Sequence, residues 1–206
     1  IVKKNTETLY NYSSSCFDKI IKKINNAKKP IIIVGKGCED SFELLREFAD
    51  KANIPVTSTI HGMGIYDEKD PLSLEFLGMH GNVAANYSVQ RADLIINIGS
   101  RFDDRTIGNP KKYAPEANKS FRKNEGGIIH VNVSRDDFNV SIQSHHNIQS
   151  TARDFLENII PHCHFSSRKQ WFADIKSWKK KYPFDYNIPL DKKLNTQIVI
   201  DTLGKK

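Results

Sequence analysis

The stretch DLIINIGSRFDDRTIG, residues 93–108, joins two opposite kinds of sequence. Its first half, DLIINIG, is an almost unbroken apolar run rich in isoleucine. A run without polar alternation reads as a strand buried on both faces, as strands of a parallel sheet are. Gly99 ends the run, and Arg101, Asp103, Asp104 and Arg105 then fall within five positions. A solvated loop with local salt bridges is one reading of such a cluster. Its place in the fold decides whether it is more than that.

Working outward, KKPIIIVGKG (28–37) gives a second continuous run, Ile31 to Val34, closed by Gly35 and Gly37. EGGIIHVNV (125–133) gives a third, and IPVTST (54–59) a shorter one. Between them lie segments of helical period. Phe17, Ile20, Ile21 and Ile24 share a face, as do Leu44, Leu45, Phe48, Ala49 and Ala52. In GMHGNVAANYSVQRAD (78–93) the spacing puts Val83, Ala84, Tyr87 and Val89 inward. TARDFLENII (151–160) puts Phe155, Leu156, Ile159 and Ile160 on one face. KYAPEANKSFRKN (112–124) reads as a polar connector, and a short apolar run surrounds Phe76. Strands alternating with helices predict an α/β fold: an open parallel sheet with helices on both faces.

After residue 160 the character changes. PHCHFSSRK (161–169) is loop-like, and QWFADIKSWKKKYP (170–183) is a helix with Trp171, Phe172, Ile175 and Trp178 on one stripe. FDYNIPLDKK (184–193) has little regular signal, and the last residues begin another helix.

Composition sets broad limits. The 206 residues are 38% hydrophobic and 27% charged, ordinary for a globular protein that buries a core. No apolar run approaches the roughly 20 residues needed to span a bilayer, so no membrane association is expected. No signal-peptide core is present, and the start at Ile1 without methionine predicts a fragment or processed product. Cys16, Cys38 and Cys163 fit neither a disulfide framework nor a zinc pattern, which favours a reducing compartment. The net charge of +7 comes from scattered lysines not interleaved with aromatics, so no nucleic-acid partner is expected.

Several motifs offer candidate chemistry. GKGCED (35–40) is a glycine turn that would let a phosphate approach backbone and helix terminus, although many strand-to-helix turns need glycine for other reasons. FLGMHG (76–81) places Met79 and His80 between glycines, suited to lining a groove rather than binding a metal. His145, His146, His162 and His164 lack the cysteine half of a zinc finger and read as surface residues. No metal site is expected. In open parallel sheets ligands sit beyond the carboxyl ends of the strands, which is where Gly99 delivers the arginines. Arginine suits planar recognition of carboxylate or phosphate, and the aspartates are expected to hold the guanidinium groups in place.

LGMHG, a downstream ANY and GSRFDDR, in this order within residues 54–108, closely resemble the central domain of the acetolactate synthase (acetohydroxyacid synthase) catalytic subunit family. The connector APEANKSFRKNEGGIIH and the tail WFADIKSWKKKYPFDY look most like fungal, mitochondrial members. The resemblance covers nearly the whole chain and is weakest over residues 1–15. It implies a Rossmann-like central FAD-binding domain over 1–160, then a linker helix and the start of a C-terminal thiamine diphosphate-binding domain over 161–206. The implied reaction decarboxylates pyruvate and joins the hydroxyethyl unit to a second 2-keto acid, pyruvate or 2-ketobutyrate, in branched-chain amino acid biosynthesis. FAD is implied for this domain, with no redox step in the reaction. Thiamine diphosphate and magnesium are implied for domains outside these residues, so no catalytic residue is expected here and the chain alone should not turn over substrate. Implied partners are the 2-keto acids, further copies of the full chain in a dimer or tetramer, and a regulatory subunit. Mitochondrial location is implied by the fungal likeness.

Residue by residue, the resemblance carries FAD contacts to Gly35, Gly37, Thr59, Ile60, Leu77, Gly78, Met79 and His80. The set continues through Gly99, Arg101, Asp103, Arg105, Thr106, Asn132 and Val133. Arg105 is implied as receiver of the second keto acid's carboxylate, with Met79 beside it and Asp104 positioning it. Two departures stand out. Asn132 replaces a usual acidic residue, and Ser150-Thr151 replace a usual Gly-Asp pair. Two alternatives stay open: another thiamine diphosphate decarboxylase or carboligase, and a non-catalytic nucleotide-binding domain.

Overall fold

A computed structural model describes residues 7–9, 14–183 and 195–205. In chain order the elements are β1 (Glu7–Leu9), α1 (Ser14–Asn26), β2 (Pro30–Val34), α2 (Phe42–Ala52), β3 (Val56–Ser58) and β4 (Ser73–Phe76). There follow α3 (Val83–Arg91), β5 (Leu94–Ile98), the single turn α4 (Asp104–Ile107), α5 (Pro115–Arg122), β6 (Gly127–Asn132) and β7 (His146–Gln149). The helices α6 (Ala152–Ile159), α7 (Lys169–Lys181) and α8 (Thr196–Gly204) complete the order.

All the pairings are parallel, and the strand order is β1-β7-β6-β5-β2-β3-β4. Every residue of β2, β5 and β6 is buried, as the continuous apolar runs require. Alternate side chains serve two cores. Ile32, Val34, Leu94, Ile96, Ile98, Ile129 and Val131 pack with α1, α2 and α6. Ile31, Ile33, Ile95 and Ile128 pack with α3, α5 and α7. The open α/β sheet clad on both faces is therefore as expected.

The strand order fixes the place of a ligand. From β2 the chain moves outward through β3 and β4, then returns to add β5 on the other side of β2. Connections leaving β2 and β5 diverge, and their carboxyl ends open a crevice between them, the switch point where such sheets bind ligands. Gly35 and Gly99 are the first residues past those two ends.

Some local expectations are corrected. Residues 112–124 are not merely a connector, because α5 forms within them on a narrow face of small residues, Ala117 and Ser120. Helix α3 turns Ala84, Ala85, Ser88 and Val89 inward, while Val83 is exposed and Tyr87 only half-buried. His146 lies buried in β7, and His145 accepts a hydrogen bond from the Ile128 amide at 2.8 Å while stacking on Phe121. Those two histidines are structural rather than superficial. His162 and His164 are exposed, as expected. Residues 184–193, where little regular structure is expected, lie outside the described residues.

Helix α7 packs on the second core. Trp171 is 1% exposed and its indole donates to the Pro30 carbonyl at 3.0 Å. Just before it, the buried guanidinium of Arg168 donates to the carbonyls of Ile24 (3.1 Å) and Ala27 (2.9 Å), and to that of Ala52. One side chain thus satisfies helix-end acceptors of both α1 and α2. No described helix is long and apolar enough to cross a membrane.

Candidate functional site

Two glycine turns meet at the switch point. The Gly37 amide donates to the Gly99 carbonyl at 3.1 Å, and the Gly35 amide to the Ile98 carbonyl at 2.9 Å. A Cβ on Gly99 would stand 2.7 Å from Cα of Gly37, and Gly99 has φ +67°. A Cβ on Gly35 would meet the Gly99 carbonyl oxygen at 2.2 Å. Only glycine lets these backbones touch. Cys38 fastens the turn, its buried thiol donating to the Ile98 carbonyl at 3.3 Å. Burial pushes that thiol up to about 12, so it serves as a packed side chain and not as a nucleophile.

Beneath the RFDDR turn lies a buried polar row. Asn97, His130 and Asn147 are neighbours across β5, β6 and β7. The Ser100 carbonyl accepts from the Asn97 amide at 2.9 Å and from His130 Nε2 at 2.7 Å. A carbonyl can only accept, so His130 carries its proton on Nε2. Burial pushes His130 down to about 4, outweighing the Ser100 hydrogen bond and the more distant Asp137 carboxylate. Phe102 (φ +57°) is buried and edge-on to His130, with ring centroids 4.9 Å apart. With Ser100 and Phe102 anchored inward, Arg101, Asp104 and Arg105 are exposed.

The aspartates do not hold the guanidinium groups, which corrects the sequence-based expectation. Asp103 caps α4, accepting from the Thr106 amide at 2.8 Å, and Asp104 accepts from the Arg105 amide at 3.0 Å. Carboxylates one and three residues ahead of free amides take these short-range bonds first. Among the described residues neither Arg101 nor Arg105 forms a salt bridge.

The loop after β4 closes the site. The Met79 amide donates to the Arg105 carbonyl at 2.9 Å, and Gly78 (φ +107°) would place a Cβ 2.8 Å from the same oxygen. Asn86 of α3 brackets Gly78, accepting from its amide and donating to its carbonyl, both at 3.0 Å. Met79 itself is 70% exposed.

Two adjoining cavities result. One, about 240 Å³, is lined by Ile60, Leu77, Met79, His80, Arg101 and the 103–106 turn. The other, about 470 Å³, is lined by Gly37, Thr59, Gly99, Arg101, Asp103 and Asn132. His61, Arg101 and Asp103 border both, so the two form one groove along the carboxyl ends of the strands. Asp104, Arg105 and Thr106 line the first. Gly35 and Gly78 shape the backbone without lining either cavity, and Val133, 62% exposed, lies just past Asn132 outside both. Five lining residues lie outside the expected set: Lys36, His61, Phe76, Ser100 and Asp137. His61 had a faint signal, standing between Ile60 and Gly62 in a glycine-rich loop.

A model of the family "Thiamine pyrophosphate enzyme, central domain" matches residues 17–159. The chain belongs to this family. Among curated relatives, the chain is 44% identical over 190 residues to the mitochondrial acetolactate synthase catalytic subunit of Saccharomyces cerevisiae, covering 88% of this chain and 27% of that protein. It is 40% identical to the corresponding mitochondrial subunit of Aspergillus candidus, over 82% of this chain and 25% of the relative. It is 36% identical to acetolactate synthase isozyme 1 large subunit of Escherichia coli, over 78% of this chain and 27% of the relative. The chain spans about a quarter of the length of these relatives.

The departures have local explanations. Thr151 caps α6, accepting from the Asp154 amide at 3.0 Å and donating to its carboxylate at 2.7 Å. Neither Ser150 nor Thr151 lines the groove. Asn132 donates to Asp137 Oδ2 at 3.1 Å and accepts from the Ser134 amide at 3.1 Å. A carboxylate therefore stands at that end of the groove although residue 132 is neutral.

Proposed function

We propose that this chain is the central, FAD-binding portion of an acetolactate synthase catalytic subunit. The observation that carries the reading is the meeting of Gly37 with Gly99 at the switch point, beside Arg101 and Arg105, which form no salt bridge among the described residues. The groove fits a dinucleotide in kind. It has close-approach backbone for phosphates, Arg101 as a cation, and Asp137 with Asn132 as polar partners at one end. Gly35, Gly37, Thr59, Ile60, Leu77 to His80, Gly99, Arg101, Asp103, Thr106, Asn132 and Val133 form the FAD-side set.

Arg105 receives the carboxylate of a second 2-keto acid, pyruvate or 2-ketobutyrate, with Met79 bordering it. Asp104 positions Arg105 through the main chain, by its bond to the Arg105 amide. Thiamine diphosphate with magnesium, held by other domains, supplies the carbanion chemistry of decarboxylation and carboligation. The residues of this chain bind, orient and exclude water, and the isolated chain is not catalytic.

Residues 1–160 constitute the central domain, and 161–206 lead toward a C-terminal thiamine diphosphate-binding domain. The full chain works as a dimer or tetramer with a regulatory subunit, in mitochondria. The likeness to fungal catalytic subunits supports these parts of the reading. Assaying the full protein for acetolactate formation from pyruvate, with thiamine diphosphate and magnesium present and FAD added or withheld, tests it. Formation that depends on FAD supports the reading, and its absence in all mixtures refutes it.

A further inference from the structure

The sheet has a second furnished end. At the amino ends of β2, β5 and β6, opposite the flavin-side groove, lies a cavity of about 360 Å³. Lys19, Lys22, Lys23 and Lys28 line it, together with Asp93 and Glu125. Three of the lysines stand one helical turn or less apart on α1, so their ammonium groups converge on one space.

The carboxylates do not balance them. Both oxygens of Asp93 are already engaged, accepting from the Lys28 amide at 2.9 Å and the Lys29 amide at 3.0 Å. Two carboxylates, Asp93 and Glu125, thus face four lysines.

Lys23 is the unusual member. It is only 7% exposed, and its ammonium has one long hydrogen bond, to the Gly126 carbonyl at 3.3 Å. It also sits 5.9 Å from the centre of the Phe121 ring. Among the described residues it forms no salt bridge. A solvated lysine keeps its ammonium group in water, whereas Lys23 is withdrawn from it while Lys19, Lys22 and Lys28 stay exposed around the cavity. Its pKa is pushed down by burial, with Glu125 opposing.

The wall opposite α1 is rigid. Gly126 is pressed so closely to β5 that a Cβ there would meet the Asp93 carbonyl oxygen at 2.0 Å. The Gly127 amide bonds that same oxygen at 2.9 Å. The cavity is thus preformed on one side and basic on the other.

We propose that this cavity binds a small phosphate-bearing anion, gathered by Lys19, Lys22, Lys23 and Lys28. Ammonium groups are compact point charges, suited to the many oxygens of a phosphate rather than to one planar carboxylate. Asn26 and Ser120, also in the lining, offer hydrogen bonds to the ligand's neutral part. The site lies at the opposite end of the sheet from the flavin-side groove and shares no lining residue with it.

The test is calorimetric titration of the full protein with inorganic pyrophosphate, with FAD and thiamine diphosphate in saturating excess. Saturable binding is expected, weakened about tenfold or more by the exposed pair Lys19→Gln/Lys22→Gln and by the shape-conserving Lys23→Met. Arg101→Gln, at the other end of the sheet, should leave it unchanged. The proposal is overturned by no saturable binding, by equal binding to the Lys19→Gln/Lys22→Gln protein, or by loss in Arg101→Gln alone.

Discussion

The amide of Met79 donates to the carbonyl of Arg105 at 2.9 Å, tying the glycine loop after β4 to the basic turn after β5. These strands lie on opposite sides of β2 in the sheet, two positions from it and one position from it respectively. The bond therefore closes one rim across the switch point. It also fixes the main chain of Arg105 while leaving its side chain exposed.

Arg105→Ala in the full protein should raise the KM for the second keto acid about tenfold to a hundredfold. That is the range set by losing a charge-assisted hydrogen bond worth about 1.5–3 kcal/mol. Decarboxylation of the first pyruvate should change less. Separate assays of carbon dioxide release and acetolactate formation check this, and an equal fall in both would sink the role given to Arg105.

Gly99→Ala should destabilise the fold and weaken FAD together. The new Cβ would meet Cα of Gly37 at 2.7 Å, from a backbone at φ +67°. Strain of this kind costs roughly 1–3 kcal/mol, visible in urea unfolding. Unchanged stability would mean that the two turns are not in contact.

Acid should weaken the fold through His130 and His145, both pushed down to about 4 chiefly by burial. Each is neutral when folded but takes a proton near 6.5 when unfolded. The unfolded chain binds more protons between these values, so stability is full above pH 6.5 and falls as pH drops toward 4. The loss is on the order of 3 kcal/mol for fully buried His130. Denaturation midpoints between pH 7.5 and 4.5 should fall, with a shallower slope in His130→Gln. An identical slope would remove His130 from the account.

Arg168→Ala should cost about 3 kcal/mol, because three helix-end carbonyls lose their donor inside the protein. Lysine should not rescue it, since one ammonium cannot span acceptors on two helices. Chemical unfolding of both variants measures this, and full rescue by lysine would contradict the bridging role.

The sheet was legible because β2, β5 and β6 announce double burial through apolar runs. Helix α5 was hidden, since the residues it buries are alanine and serine, too small and polar to mark a core face in so charged a segment. Strand β7, HNIQ, was hidden because its buried residues His146 and Asn147 look like surface. Conversely, Val83 looked like core and is exposed, because Ala85 and Ser88 fill the space against the sheet. At the site, glycines and arginines signalled themselves through turn chemistry and charge. The partners of Asp103 and Asp104 did not, because a capping bond to a neighbouring amide competes with an ion pair only once the turn is built. Lys36, His61 and Asp137 reach the groove from separate loops that only the strand order brings together.

The most direct test of the central claim is FAD binding by the full protein and by Gly37→Val, followed by flavin absorbance. A branched side chain at residue 37 would push on Gly99, where even a single Cβ stands 2.8 Å from its Cα. The account predicts a flavin-bearing wild type and a Gly37→Val protein that keeps its far-ultraviolet circular dichroism but loses at least nine-tenths of the bound flavin. A colourless wild type that takes up no added FAD, or equal flavin in both proteins, would contradict it.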